Sequence, residues 1–376
     1  MRSWAPNTFR SEGEQQGYPP AYLSALVAEG DRLQAAGVPV IFTLGHLAKL
    51  TRVPYVFLDD VVARCSDPYR VFRIKKRRGG YRQIVAPDPP LLAVQRWLHE
   101  NILIKTPAHS AAAAFAIGKD AIRNAQQHCD ARWLVKLDVT DFFEAISERQ
   151  VYRVFQHVGY APRIAFQLSR ICTRLAEGSP KYRRRRWKTK RPERFRVLRY
   201  PLVGHLPQGA PTSPLLSNLV CVELDRELVQ LAEANSCTYS RYADDIVFSA
   251  ADLGRSAGEA IVREASAILG RYGLNRNRQK TLIAGPTGRR VVTGLLVDSS
   301  SPRLLHRYKQ QILVHLYHAR TKGIYDHCVR RNFRSLVGFK HHLDGLIGYA
   351  ERVEPTFGAK CRGMFDALAW GDLRDF

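Results

Sequence analysis

The sequence is poor in acid and in paired cysteine, and it has no long apolar run. None of its hydrophobic stretches approaches the roughly 18 consecutive apolar residues that a membrane-spanning helix needs, and no lipidation signal is present. The first 18 residues are polar and proline-containing, without the apolar centre of a secretory signal. Seven cysteines, Cys65, Cys129, Cys172, Cys221, Cys237, Cys328 and Cys361, lie far apart with no CxxC spacing. An odd, scattered set argues against a disulfide framework or a zinc site and for reduced thiols in the cytoplasm. No internal repeat stands out. Asp and Glu number 34 against 58 Lys and Arg, a formal charge of +24. Such a charge repels itself without a polyanionic partner. Nucleic acid fits that role better than an anionic membrane, for which the chain offers no anchor.

What is present is a globular composition, 45% hydrophobic over 376 residues, enough for two or three packed subdomains. Helical spacing of Leu23, Leu26, Val27 and Leu33 predicts a helix over 21–36, and two short helices follow over 44–53 and 57–63. The run from Leu44 to Leu50 has a helix-turn-helix flavour, but packing explains it better. From Tyr69 the pattern turns to strands, Val71 to Ile74 and Tyr81 to Val85, joined by a basic Lys-Lys-Arg-Arg-Gly-Gly turn over 75–80. An amphipathic helix over 91–104 comes next, then an Ala-rich segment leading to Asn124-Ala125-Gln126-Gln127-His128, which taken alone is a helix surface. Further helices are expected over 149–178, 215–231, 258–272, 302–320 and 332–353, and a strand with a central glycine over 290–297.

The chemistry gathers in three places. Residues 238–250 form two aromatic and β-branched segments around Ala243, Asp244 and Asp245, which predicts a hairpin with two carboxylates at its tip. Like charges set in apolar strand are costly unless neutralised, and a divalent cation is the usual agent. Trp133 to Leu137 is an apolar strand that delivers Asp138, where a metal ligand can be held rigidly; Asp141, just beyond, has more the look of a helix cap. Between Lys181 and Arg199 lie eleven basic residues and one acid, with Tyr182, Trp187 and Phe195 interleaved. Cations for phosphates and rings for stacking suit RNA or single strands, and Arg183, Arg184, Arg185, Arg186 and Trp187 are the candidates.

Tyr242-Ala243-Asp244-Asp245 between apolar strands resembles the active-site hairpin of reverse transcriptases. Leu137 to Phe143 resembles their first carboxylate motif, and Pro207-Gln208-Gly209 the loop they lay against the nucleotide. The motif order matches over roughly residues 70–350, so the resemblance covers most of the chain. It implies an α+β right-hand polymerase: an N-terminal helical segment (1–66), fingers (67–130), a palm with an antiparallel sheet (131–290, with the basic insertion 181–199) and a helical thumb (291–376). It further implies that Asp138, Asp244 and Asp245 hold two Mg²⁺ ions. Arg82 would clamp the dNTP triphosphate with Lys75, for which Lys76 and Arg77 are alternatives. Phe143 would crowd a ribose 2′-OH, Gln208 and Gly209 would face the nucleotide, and Lys280, otherwise a surface lysine, would sit near the leaving pyrophosphate.

Within that family, Asn124 to His128 resembles the NAxxH pattern of bacterial retron enzymes, and Val292-Thr293-Gly294 their VTG pattern. This implies RNA contacts at Asn124, His128, Val292, Thr293 and Gly294. It also implies a cognate non-coding RNA that is both template and primer, with synthesis from an internal guanosine 2′-OH to a branched RNA–DNA hybrid (msDNA). A role in anti-phage defence follows, with a separate effector protein and no membrane. The alternatives are another bacterial reverse transcriptase, of diversity-generating or abortive-infection type, or an RNA-binding scaffold of a defence complex.

Overall fold

The computed structural model describes residues 4–75, 79–175 and 203–370. Four helices open the chain: α1 (Pro6–Gln15), α2 (Pro20–Ala35), α3 (Leu44–Thr51) and α4 (Tyr55–Val62). The first of these was not expected from its polar sequence. It is held from outside by an aromatic cluster, in which the Trp4 ring lies 5.3 Å from Phe9 and 5.6 Å from Phe42. Thr43 caps α3 by accepting a hydrogen bond from the His46 amide at 3.0 Å. Leu44, Leu47 and Ala48 are buried in the main core, so the 44–50 run packs rather than presenting a reading helix.

Strands β1 (Tyr69–Lys75) and β2 (Tyr81–Pro87) pair antiparallel, Tyr69 opposite Pro87 and Lys75 opposite Tyr81. Their outer half carries exposed Val71, Phe72, Ile74 and Tyr81. Next come α5 (Pro89–Asn101) and α6 (Ala121–Gln126), the second capped by Asp120, whose carboxylate accepts from the Arg123 amide at 2.8 Å.

Strand β3 (Trp133–Asp138) is followed by α7 (Phe142–Ala145), α8 (Glu148–Val158), α9 (Pro162–Cys172), α10 (Ser213–Val220) and α11 (Val222–Ala234). The helix expected over 149–178 is two, because Gly159 at φ +113° closes α8, and the chain leaves helix after Cys172. That over 215–231 also breaks, at Cys221. Strands β4 (Thr238–Tyr242) and β5 (Asp245–Ala250), helix α12 (Arg255–Arg271) and strand β6 (Leu282–Ala284) complete a four-stranded antiparallel sheet in the order β4-β5-β3-β6. The strand expected over 290–297 instead folds back on itself. Strands β7 (Val291–Val292) and β8 (Leu295–Leu296) flank a two-residue turn in which Thr293 (φ +47°) and Gly294 (φ +87°) are both left-handed, the conformation a tight hairpin demands. After β9 (Arg303–Leu304) the chain is helical: α13 (His306–Lys322), α14 (Ile324–Arg330), α15 (Leu336–Val353) and α16 (Pro355–Asp366). The architecture is α+β, as expected. Among the described residues no helix is long and apolar enough to cross a membrane, and all seven cysteines are free.

The four-stranded sheet separates two cores, and strand alternation decides which residue joins which. Val135, Leu137, Ile246 and Phe248 face the larger core with α8 to α12. Leu134, Val247 and Ala284 face the second, built on α13 to α16 with Ala125, Val292 and Leu295. On the first face Arg241 of β4 is fully buried. Its Nε and Nη2 donate to Asp225 at 2.8 and 2.6 Å, and Nη1 donates to the Ala243 carbonyl in the β4–β5 turn at 3.3 Å. Tyr239 donates to the same Asp225 at 2.7 Å. Removing one partner of such a pair strands the other in the interior. Asp225→Ala is therefore expected to lower the unfolding free energy by about 3–5 kcal/mol, measured by denaturant titration.

Candidate active site

The turn between β4 and β5 is Ala243-Asp244, with Ala243 left-handed at φ +57°. Asp245, the first residue of β5, lies opposite Tyr242 on one side and Asp138 on the other. The amide of Val139 donates to the Asp244 carbonyl at 2.9 Å, tying the end of β3 to the turn. Three carboxylates thus meet at one end of the sheet, brought there by hairpin geometry and by the register of β3 on β5.

Their charges are balanced in part by two lysines. Lys280 Nζ donates to both oxygens of Asp138, at 2.9 and 2.8 Å, and Lys136 Nζ to Asp245 at 2.9 Å. Asp244 has no ion pair among the described residues. Its carboxyl is pushed above the usual carboxylate range, chiefly by burial and then by the charges of Asp245 and Asp138. Among the described residues no three His, Cys, Asp or Glu side chains stand ready around a single ion position. The donor set nonetheless fits a hard divalent cation. It is all carboxylate oxygen, it carries uncompensated negative charge, and an ammonium already straddles Asp138. The Lys280 side chain is 60% exposed, so nothing buries it in that position.

A cleft of about 550 Å³ opens in front of these groups, with Asp138, Asp244, Arg82, Phe143, Gln208 and Lys280 in its wall. Arg82 reaches it from β2. The Phe143 ring lies 5.5 Å from Phe142 and 6.4 Å from Phe115. Gln208 gives its carbonyl to the Val85 amide at 2.7 Å, so the Pro-Gln-Gly loop is pinned to the β1–β2 hairpin. Gly209 (φ +125°) is held so close that a Cβ there would meet the Val85 carbonyl at 3.0 Å. Only glycine permits that approach. Lys75 is exposed at the hairpin's outer end and is not part of the cleft wall, while its alternatives Lys76 and Arg77 lie outside the described residues. Asp141 precedes α7 in a left-handed conformation without a side-chain cap bond, and the cap of α8 is Ser147 with Gln150.

The residues expected to touch RNA behave differently. Asn124 and His128 are not on a helix surface: they are 1% and 0% exposed. The His128 ring lies between two hydroxyls, Nδ1 at 2.7 Å from Ser249 Oγ and Nε2 at 2.7 Å from Ser240 Oγ. Val292 is buried, and the Thr293 hydroxyl donates to the Ala121 carbonyl at 2.7 Å, leaving Gly294 as the exposed member of its trio. Direct RNA contact is thus closed to Asn124, His128 and Val292 in this conformation, because their side chains are enclosed. Arg183, Arg184, Arg185, Arg186 and Trp187 lie outside the described residues. Sequence reasoning passed over Lys136, although it sits two residues before Asp138 and so on the same strand face. It also passed over Phe115, whose ring closes on Phe143 and Tyr242 from a segment with no motif of its own.

A palm-like sheet with carboxylates at its rim and a glycine-tight loop across the cleft defines a template-dependent nucleotide polymerase by fold and site. Residues 74–293 match the model of the family described as reverse transcriptase (RNA-dependent DNA polymerase). The retron Ec86 reverse transcriptase of Escherichia coli is 28% identical over 292 residues, 76% of this chain and 81% of that one. The retron Ec73 enzyme of the same organism is 30% identical over 321 residues, 82% and 91% of the two chains. The Mx162 enzyme of Myxococcus xanthus is 32% identical over 240 residues, and the match spans about half (47%) of that longer relative. The chain belongs to the reverse transcriptases and, within them, to those of bacterial retrons: it is an RNA-directed DNA polymerase.

The raised Asp244 carboxyl has a stability consequence. A folded-state pKa above the unfolded value makes the ionised group a liability at neutral pH, and the penalty disappears once the pH falls below the unfolded pKa, about 4. Asp244→Asn is therefore expected to melt higher than the parent protein at pH 7 in chelator, with the gap closing below about pH 4. Adding Mg²⁺ should raise the parent's melting temperature more than the variant's. A variant that melts lower at pH 7 would contradict this account of the charge cluster.

Proposed function

We propose that the chain copies a cognate non-coding RNA, starting at the 2′-OH of an internal guanosine, and leaves a branched RNA–DNA hybrid. The observation that carries the chemistry is the meeting of Asp138, Asp244 and Asp245 at one end of the sheet, the first two in the wall of a cleft shared with Arg82 and Gln208. The retron specificity is supported by the similarity to retron enzymes over most of their length. In this reading 67–130 act as fingers, 131–290 as palm and 291–376 as thumb.

Asp138, Asp244 and Asp245 would hold two Mg²⁺ ions, whose chemistry is to acidify the attacking hydroxyl and to neutralise charge on the departing pyrophosphate. The remaining work is positioning. Arg82 in the cleft wall, with Lys75 further out on the same hairpin, takes the triphosphate of the dNTP. Gln208 and the backbone at Gly209 lie against its sugar and base, held there by the bond from Val85. Phe143 fills the space that a ribose 2′-OH needs, which favours dNTP over rNTP. Lys280 exchanges Asp138 for the pyrophosphate, keeping a positive charge where negative charge accumulates. The basic run 181–199 and exposed Gly294 bind the RNA. A separate effector protein, restrained by the RNA–DNA complex, would give the system its role against phage.

The test is to express the chain with its flanking DNA and isolate small nucleic acids. A single-stranded DNA whose mobility shifts after ribonuclease or debranching enzyme is expected, and it should vanish in the Asp244→Asn, Asp245→Asn double variant. Extension of an added primer without any branched product would keep the polymerase and overturn the retron-type start.

A further inference from the structure

Residue His128 is doubly bonded, fully buried and unused by the mechanism above. The two serines it bridges lie on the two strands of the catalytic hairpin, Ser240 on β4 and Ser249 on β5. Strand alternation sets both on the sheet face shared by Asp245 and Asp138, since Ser240 is opposite Val247 and Ser249 opposite Leu134. The imidazole therefore spans the hairpin from strand to strand, on the sheet face of Asp245 and Asp138 and further along the strands from the turn. A neutral ring suits this place, one nitrogen donating to one hydroxyl and the other accepting from the second. Burial keeps it neutral by lowering its pKa to about 4.

The loop and helix that carry His128 are fixed from the other side by the second core. Thr293 donates to the Ala121 carbonyl at 2.7 Å, Arg352 of α15 donates to Asp120 at 2.6 Å, and Gln126 donates to the Ser300 carbonyl at 3.1 Å. The Asp130 amide donates to the Ser299 carbonyl at 3.2 Å. The segment 120–130, α6 with its flanking residues, is thus a strut, with four bonds to the C-terminal part of the chain and one imidazole set into the hairpin.

We infer that His128 is a positioning residue for DNA synthesis: by bracing Ser240 and Ser249 against α6 it fixes the pitch of the hairpin that carries Asp244 and Asp245. The inference rests on the assignment of those carboxylates to catalysis. It gives the NAxxH and VTG segments a shared task, a brace between the second core and the reaction centre, in place of a direct grip on RNA by His128.

The test uses the full chain with an RNA template annealed to a DNA primer. Four quantities are measured: equilibrium template–primer Kd, dNTP KM, single-turnover rate at saturation, and melting temperature. His128→Leu, and separately Ser240→Ala with Ser249→Ala, are expected to slow the saturated rate about tenfold or more, as small misplacements of reacting groups do. Template–primer Kd and dNTP KM should stay within about twofold, the signature of an interaction that acts on the reacting step alone. His128→Gln, whose amide both donates and accepts, should recover much of the rate. A folded His128→Leu with parental rate overturns the inference. So does a tenfold weaker Kd with an unchanged saturated rate, which would make His128 an RNA contact. If His128→Leu does not fold, the serine pair decides alone, and a parental rate there overturns it. Asp244→Asn runs alongside: parental activity in that variant would sink the carboxylate assignment itself, whereas a dead Asp244→Asn beside a fully active His128→Leu removes only the brace.

Discussion

Three carboxylates held side by side at the end of a sheet repel one another, and much of the structure can be read as the means of holding them there. Asp138 and Asp245 are fixed as opposite residues of an antiparallel pair, and Asp244 is carried on a two-residue turn that leaves it no freedom to withdraw. Lys280 and Lys136 relieve two of the three charges, while Asp244 keeps a raised pKa as the residue of the conflict. A site in this condition favours any cation that satisfies several oxygens at once. The cost in folding stability is the counterpart of affinity for the ions the reaction needs.

The hairpin withstands that repulsion because both of its faces are anchored. From the larger core, Arg241 reaches past Asp225 to the carbonyl of Ala243 in the turn itself. From the second core, His128 spans the two strands through Ser240 and Ser249. One anchor is a buried ion pair and the other a neutral bridge, and they act on opposite sides of the same short ribbon. A hairpin alone is marginal in water. Set between two cores, with β3 beside it, it becomes rigid enough to present its tip to a substrate.

How much of this was legible in the sequence depended on whether local pattern or tertiary burial decided the outcome. The Thr238–Ala250 hairpin and the strand ending at Asp138 were legible, because alternation and turn chemistry are local. So was the glycine of Pro207-Gln208-Gly209, since a close backbone approach leaves few other residues possible. The helix α1 was not, being held by tilted and edge-on contacts of Trp4 with Phe9 and Phe42, partners that no periodicity reveals. The VTG segment read as one strand because Val291 to Val297 is uniformly apolar apart from its centre; the left-handed Thr293 was the unforeseen half of the turn. Asn124 and His128 read as a helix surface, and the family resemblance implied that they touch RNA. A polar residue type does not announce whether it faces solvent, and two serines more than a hundred positions away enclose His128. The basic run 181–199 was legible as charge alone.

The most direct test of the account is single-nucleotide incorporation by the purified chain on a generic RNA template annealed to a DNA primer, with Asp138→Asn, Asp244→Asn and Asp245→Asn compared singly. This separates the chemistry from the identity of the natural RNA. The account predicts Mg²⁺-dependent dNTP addition by the parent chain and a loss of rate of several orders of magnitude in each variant at unchanged template–primer affinity. Incorporation that survives the loss of any one of the three carboxylates would contradict it.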